Sequence, residues 1–208
     1  MEKEGPLEVP PEIEAMLDRQ WQGLARAGTW LRDSERISVA RVVRDARAGR
    51  ESDSRGLSAT AVEAARKIAV DAHHITGEWV TGCHERGLDE LPMLELTSVV
   101  ARVAAMDTFA TGIGAELTPL PEAAGGEPTR ETVKGAKKTK GWQPTRGVAG
   151  APNAFSAVAA EHEALHDLHS AFYLSLEEMG QMEIDKGLDR GQMELLASKT
   201  SDYNDCMY

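Results

Sequence analysis

Glu194 and Cys206 stand twelve residues apart toward the end of the 208-residue chain. Their types could do redox chemistry together, because a carboxylate can hold or move a proton and a thiol can give one up. Asp189, followed three residues later by Gln192, predicts a helix start in which each side chain satisfies the other's unpaired backbone N–H, with the helix running from about Arg190. A helix continued straight to Cys206 would hold the pair roughly 18 Å apart. The chain must therefore turn between them. Asn204 is the candidate, since its short amide caps a new helix and competes with the old one. Cys206 then falls in a helix's first turn, where unpaired N–H groups and the helix dipole favour thiolate over thiol.

Two histidine groups offer other chemistry. His162-Glu163-Ala164-Leu165-His166 has the form of a zinc-hydrolase helix, two imidazoles one turn apart with a glutamate to activate the metal's water, and His169 faces the same side. A third ligand at workable spacing is missing. The same histidines continue the Phe155 and Phe172 face, so they read equally as packed or helix-contact residues. His73, His74, Cys83 and His84 form the second group. Neighbouring histidines diverge on an α-helix, and this spacing matches no standard zinc pattern, so surface or hydrogen-bonded histidines are expected.

The elements that must position these residues are all helical. Ile13, Leu17, Trp21 and Leu24 predict an amphipathic helix over 11–27 behind an acidic tail. Asp33 or Ser34 caps a second helix, which ends before the glycine-bounded loop 49–56. Ser58 opens a long third helix whose face runs through Val62, Ala65, Ala69, Ala72, Thr76 and Trp79. Leu91 to Ile113 is apolar nearly all round, the mark of a core helix; Glu95, Arg102 and Asp107 interrupt it and argue against a membrane span. Residues 115–152, rich in Pro, Gly, Thr and Lys, read as a long connector that Trp142 pins to a domain surface. Asn153 starts the histidine helix, and Ser175 with Glu178 caps a short one over 176–186, with Met179 and Met182 as ordinary packing.

Composition bounds the class. Lys and Arg number 23 against 34 Asp and Glu, a net charge of −11, which disfavours phosphate backbones, so nucleic acid is not an expected partner. With 41% apolar residues the chain can build a real core. The acidic start resembles no signal peptide, and two distant cysteines make no disulfide framework; both point to a reducing, cytoplasmic setting.

The end of the chain resembles the alkylhydroperoxidase-like proteins of the carboxymuconolactone decarboxylase superfamily. In that family a glutamate precedes, by twelve positions, a Cys-x-x-Cys pair with a histidine one turn on; Glu194 and Cys206 match the first two positions. The resemblance extends from about Glu35 onward, and Gly125-Gly126-Glu127-Pro128-Thr129-Arg130 is similar to a family linker motif. It implies that Cys206 resolves, that Glu194 relays a proton, and that the peroxide-attacking residue follows Tyr208. Some members use selenocysteine, whose codon reads as a stop, so two readings stand: a reading frame cut there, or a relative without peroxidase activity.

Glu85-Arg86-Gly87-Leu88-Asp89-Glu90 repeats faintly as Asp185-Lys186-Gly187-Leu188-Asp189-Arg190, with Glu95-Leu96 answering Glu194-Leu195. The expected fold is therefore all-α, a bundle of two related alkylhydroperoxidase-like units, 1–114 without the thiol motif and 153–208 incomplete. The implied function is thiol- or selenol-dependent reduction of organic hydroperoxides, with a dithiol reductant as partner, no bound cofactor and a homo-oligomeric assembly. Zinc hydrolysis through His162 and His166, or a non-catalytic helical scaffold, are the alternatives.

Overall fold

The computed structural model describes residues 7–206. Regular structure among these residues is helical, apart from two isolated bridges that pair Lys137 with Thr145 and Asp185 with Asp189. The expected all-α class is met. No described helix is long and apolar enough to cross a membrane.

Helix α1 (Pro11–Leu24) opens on a proline, whose missing N–H would be unpaired there anyway, and buries Met16, Trp21 and Leu24. In α2 (Asp33–Arg47) the Glu35 carboxylate accepts from the Arg32 N–H at 2.8 Å. Asp33 is the first helical residue, not the cap, and its Oδ2 accepts from Gly125 N at 2.5 Å, tying the connector to this end.

The expected third helix is broken. Ser58 caps α3 (Ala59–Val70), but Asp71 leaves the helical conformation, a 3-10 turn spans Ala72–His74, and α4 (Gly77–Glu85) starts afresh. Thr76 belongs to no apolar stripe. Its Oγ1 accepts from Trp79 N at 3.2 Å and caps α4. The Asp71 carboxylate, bonded by Lys67 and His74, supplies the competing local interactions that end α3.

Helix α5 (Glu90–Gly112) is buried on most of its surface. It packs against α2 and α3, which also pack on each other, around Val39, Val43, Leu96, Val99, Val103 and Met106. Helix α6 (Ala159–Phe172) lies on α1 and α5 and joins this core through Leu168, with Phe172 stacked on Phe109 at 4.8 Å. It starts six residues later than expected. Asn153 cannot cap it, because its Nδ2 donates back to Val148 O at 2.9 Å; Phe155, Ala157 and Val158 instead fill a small cluster with Leu94 and Trp30 ahead of the helix.

Ser175 and Glu178 make the expected reciprocal bonds, at 2.7 and 3.2 Å, yet only a 3-10 turn, Glu178–Gly180, follows. Lys186 Nζ donates to the same Glu178 oxygen at 2.9 Å, and Met182, 74% exposed, packs on no helix face. Helix α7 (Arg190–Tyr203) closes the described chain at the edge of the bundle, with Met193 buried and Leu195 and Leu196 largely exposed.

The connector is a strap over the bundle. Ala124 N and Arg130 N donate to Ala25 O and Thr29 O at 2.8 and 2.9 Å, Lys138 pairs with Glu90, and the Trp142 indole lies where a side chain on Gly77 would stand.

The two halves of the faint repeat share the turn at Gly-Leu-Asp, although Glu85 ends α4 while Asp185 lies in an isolated bridge. Gly87 and Gly187 have φ of +89° and +88°, a left-handed conformation that favours glycine. Each is followed by leucine and by an aspartate, Asp89 or Asp189, in extended conformation at the N-cap of a helix that begins at the next residue.

Candidate functional site

The capping box at Asp189 forms as expected. Asp189 Oδ1 accepts from Gln192 N at 2.9 Å and Gln192 Oε1 accepts from Asp189 N at 3.0 Å, which fixes the first turn of α7. Glu194, in the second turn, is held from two sides. Tyr173 Oη, at the end of α6, donates to Glu194 Oε1 at 2.7 Å, and Arg190 Nε donates to the same oxygen at 2.7 Å. Those bonds, the tyrosine's first and then the arginine's, hold the Glu194 carboxyl below the usual carboxylate range. A carboxylate held down in this way is a weak base. It is suited to orienting and stabilising a cationic partner, as the aspartate of a catalytic triad does for its imidazole.

Cys206 lies beyond the other end of α7. The helix carries the chain about 14 Å along its axis between Glu194 and Tyr203. It then stops where expected, at Asn204, and turns through Asp205 at φ +50°. Cys206 N donates to Ser201 O at 2.9 Å, and the residue is exposed and free. The structure thus gives the turn but does not bring Glu194 and Cys206 into contact. Asn204 does not cap a new helix as expected: its Nδ2 donates back to Thr200 O at 2.7 Å, and Asp205, which would open that helix, is left-handed, so among the described residues Cys206 stands in no helix's first turn. Between the two ends, a cleft of about 300 Å³ lies against α7, walled by Phe172, Leu188, Met193, Leu196 and Ala197 together with the polar Tyr173, Lys186 and Thr200.

A second constellation escaped the sequence reading. Arg36 of α2, Glu95 and Arg102 of α5 and Glu161 of α6 are all buried and mutually paired. Arg36 Nη1 donates to Glu161 Oε1 at 2.7 Å and also to Glu95 Oε1. Glu161 Oε2 accepts from Ser98 Oγ at 2.6 Å and from Arg102 Nη1 at 3.0 Å, while Arg102 Nε donates to Gln20 Oε1 at 2.6 Å. Glu95 Oε2 accepts from Trp30 N at 2.6 Å.

The two carboxyls differ in character. Burial would raise Glu161, but Arg36 and Arg102 outweigh it and hold Glu161 below the ordinary value. Burial raises Glu95 too, and with Arg36 as its one guanidinium and Glu161 adding repulsion, it stays raised. The sequence did carry a signal: charges inside a helix apolar all round must be paired within the core. Which residues answer them depends on contacts between distant segments.

The histidines of α6 do structural work. His166 Nε2 lies 2.9 Å from Pro152 O and His169 Nδ1 lies 2.6 Å from Leu174 O, each a carbonyl it can donate to. His162 and His166 meet edge to face at 4.3 Å between centroids, and burial, with the neighbouring His166, lowers the His162 imidazole. Among the described residues no third carboxylate, imidazole or thiol joins these two within metal reach; the set that does converge is Asp71, His73 and His74.

Compared with protein-family models, curated proteins and solved structures, the chain gives no significant match.

Proposed function

We propose that this chain supplies the relay carboxylate and the resolving thiol of a thiol- or selenol-dependent peroxidase of the alkylhydroperoxidase type. The observation that carries this reading is Glu194, fixed by Tyr173 and Arg190 on a capped helix that ends in a turn directly before Cys206. On the family pattern an attacking chalcogen would stand directly after Tyr208 and a histidine four positions beyond it.

The chemistry balances as follows. The attacking thiolate or selenolate takes the terminal oxygen of an organic hydroperoxide, the O–O bond breaks, and the alkoxide leaves as alcohol with a proton. The resulting sulfenic or selenenic acid is attacked by the Cys206 thiolate, releasing water and forming an S–S or S–Se bond. A dithiol then reduces that bond by exchange. Glu194 holds the histidine as it accepts the attacking group's proton. The mainly apolar cleft against α7 suits an alkyl hydroperoxide. The matched turns at Gly87 and Gly187 support two related units, of which the second carries the site, and the exposed Leu195, outside the cleft, suits a homo-oligomer.

The test compares the 208-residue chain with one extended by cysteine directly after Tyr208 and histidine four positions further. With cumene hydroperoxide and dithiothreitol, the extended chain turns over and the 208-residue chain does not. Robust turnover by the 208-residue chain, or none by the folded extended one, contradicts the proposal.

A further inference from the structure

Asp71, His73 and His74 sit at the break between α3 and α4. On an α-helix neighbouring histidines diverge, but here they occupy a 3-10 turn, and their rings come together at 3.9 Å between centroids. Each of the three residues offers a ligand atom, and these atoms lie within 4.8 Å of one another. The geometry points to a binding site for a late first-row divalent ion such as Zn²⁺ or Ni²⁺, formed by the Asp71 carboxylate and the His73 and His74 imidazoles.

Donor chemistry and spacing both fit. Two imidazoles and one carboxylate form a borderline set that suits zinc, nickel or copper better than magnesium or calcium. Ligand atoms bound tetrahedrally at about 2.0 to 2.1 Å stand roughly 3.3 Å apart. His73 Nε2 lies 4.0 Å from Asp71 Oδ1, so it must close by less than 1 Å; His74 Nδ1 lies 2.5 Å from the same oxygen, so the pair must open by a similar amount. The ion would take the place of the proton now shared between His74 and Asp71. His74 is 68% exposed, which gives its ring freedom to move and the ion a path in from solvent.

Lys67 keeps its hydrogen bond to the other oxygen, Asp71 Oδ2, at 2.5 Å. The nearby ammonium opposes the ion's charge and keeps the affinity modest. Bound there, the ion would clamp the end of α3 to the segment leading into α4, a joint now held by the Asp71 contacts and the Thr76 cap.

Calorimetric titration of the untagged full chain with ZnCl₂, repeated with NiCl₂, tests the site. One ion per chain is expected, with affinity at least tenfold weaker in His73→Ala and in His74→Ala and unchanged in His162→Ala. Melting temperature should rise with added ion in the original chain and in His162→Ala, and stay flat in His74→Ala. Both cluster histidines are surface residues, and circular dichroism checks that each variant is folded. Absence of one-equivalent uptake overturns the site. So does uptake that survives both cluster substitutions, or that is lost on changing His162 or His166 instead.

Discussion

Arg36 Nη1 donates to Glu161 Oε1 at 2.7 Å with both side chains almost fully buried, joining α2 to α6 across most of the chain. Removing one member of a buried pair strands the other charge, which costs about 3 to 5 kcal/mol. Glu161→Gln should therefore lower stability by that order in urea denaturation at pH 7. Glu95→Gln should cost clearly less, since Glu95 shares a single guanidinium and already resists ionisation. Equal losses in the two variants would contradict this division of roles.

The same pair gives opposite pH dependences. Glu161 has a folded pKa below its unfolded value, so its contribution is present above about pH 4.3 and is lost as pH falls through the folded value. Glu95 has a folded pKa above its unfolded value, so its contribution is present at low pH and is lost as pH rises from about 4.3 through the folded value. Stability measured from pH 3 to 8 should lose part of its rise with pH in Glu161→Gln. In Glu95→Gln it should instead rise more steeply through the region above pH 4.3. The reverse pattern would show the two carboxylates to be misassigned.

Gly28 packs against this network. A β-carbon there would fall inside the van der Waals shell of the Glu95 carboxylate and the Arg36 guanidinium, in the core, where neither can swing aside. Gly28→Ala should cost about 1 to 3 kcal/mol, the range for overpacking, although alanine is ordinarily harmless in a loop. A melting temperature equal to that of the original chain would show that the network yields.

Much of the fold was legible because it follows local rules. Asp189 with Gln192, the Ser58 cap and the apolar α5 are written in adjacent residues, and α7 does end at Asn204, although there the amide donates back to Thr200 O of the helix it ends. Errors arose where a local signal had a distant or rival partner. Thr76 could pack or cap, and capped; Asn153 could cap and was taken by Val148; Glu178 made its capping bond but was also held by Lys186. In the candidate site, the Asp189–Gln192 box that opens the helix carrying Glu194 was readable from spacing, but the Tyr173 contact was not, because Tyr173 reaches α7 from the end of α6.

Tyr173 therefore provides a local test. Its hydroxyl is the largest influence lowering the Glu194 carboxyl, so Tyr173→Phe should move that titration upward toward the ordinary glutamate value in carbon-detected NMR. Arg190, which remains, should keep part of the depression. A titration that stays in place, or moves down, would remove Tyr173 from the positioning of Glu194.

Mass spectrometry of the extended chain tests the central claim most directly. One equivalent of cumene hydroperoxide is added without reductant, followed by an alkylating reagent. A bond between Cys206 and the added cysteine is predicted, reversed by dithiothreitol, with Cys206→Ser leaving the added cysteine as a trappable sulfenic acid. Glu194→Gln should slow its formation by about 10²-fold or more, as expected when the histidine that accepts the proton loses the carboxylate that orients it. A folded extended chain in which Cys206 remains alkylatable after peroxide would contradict the account.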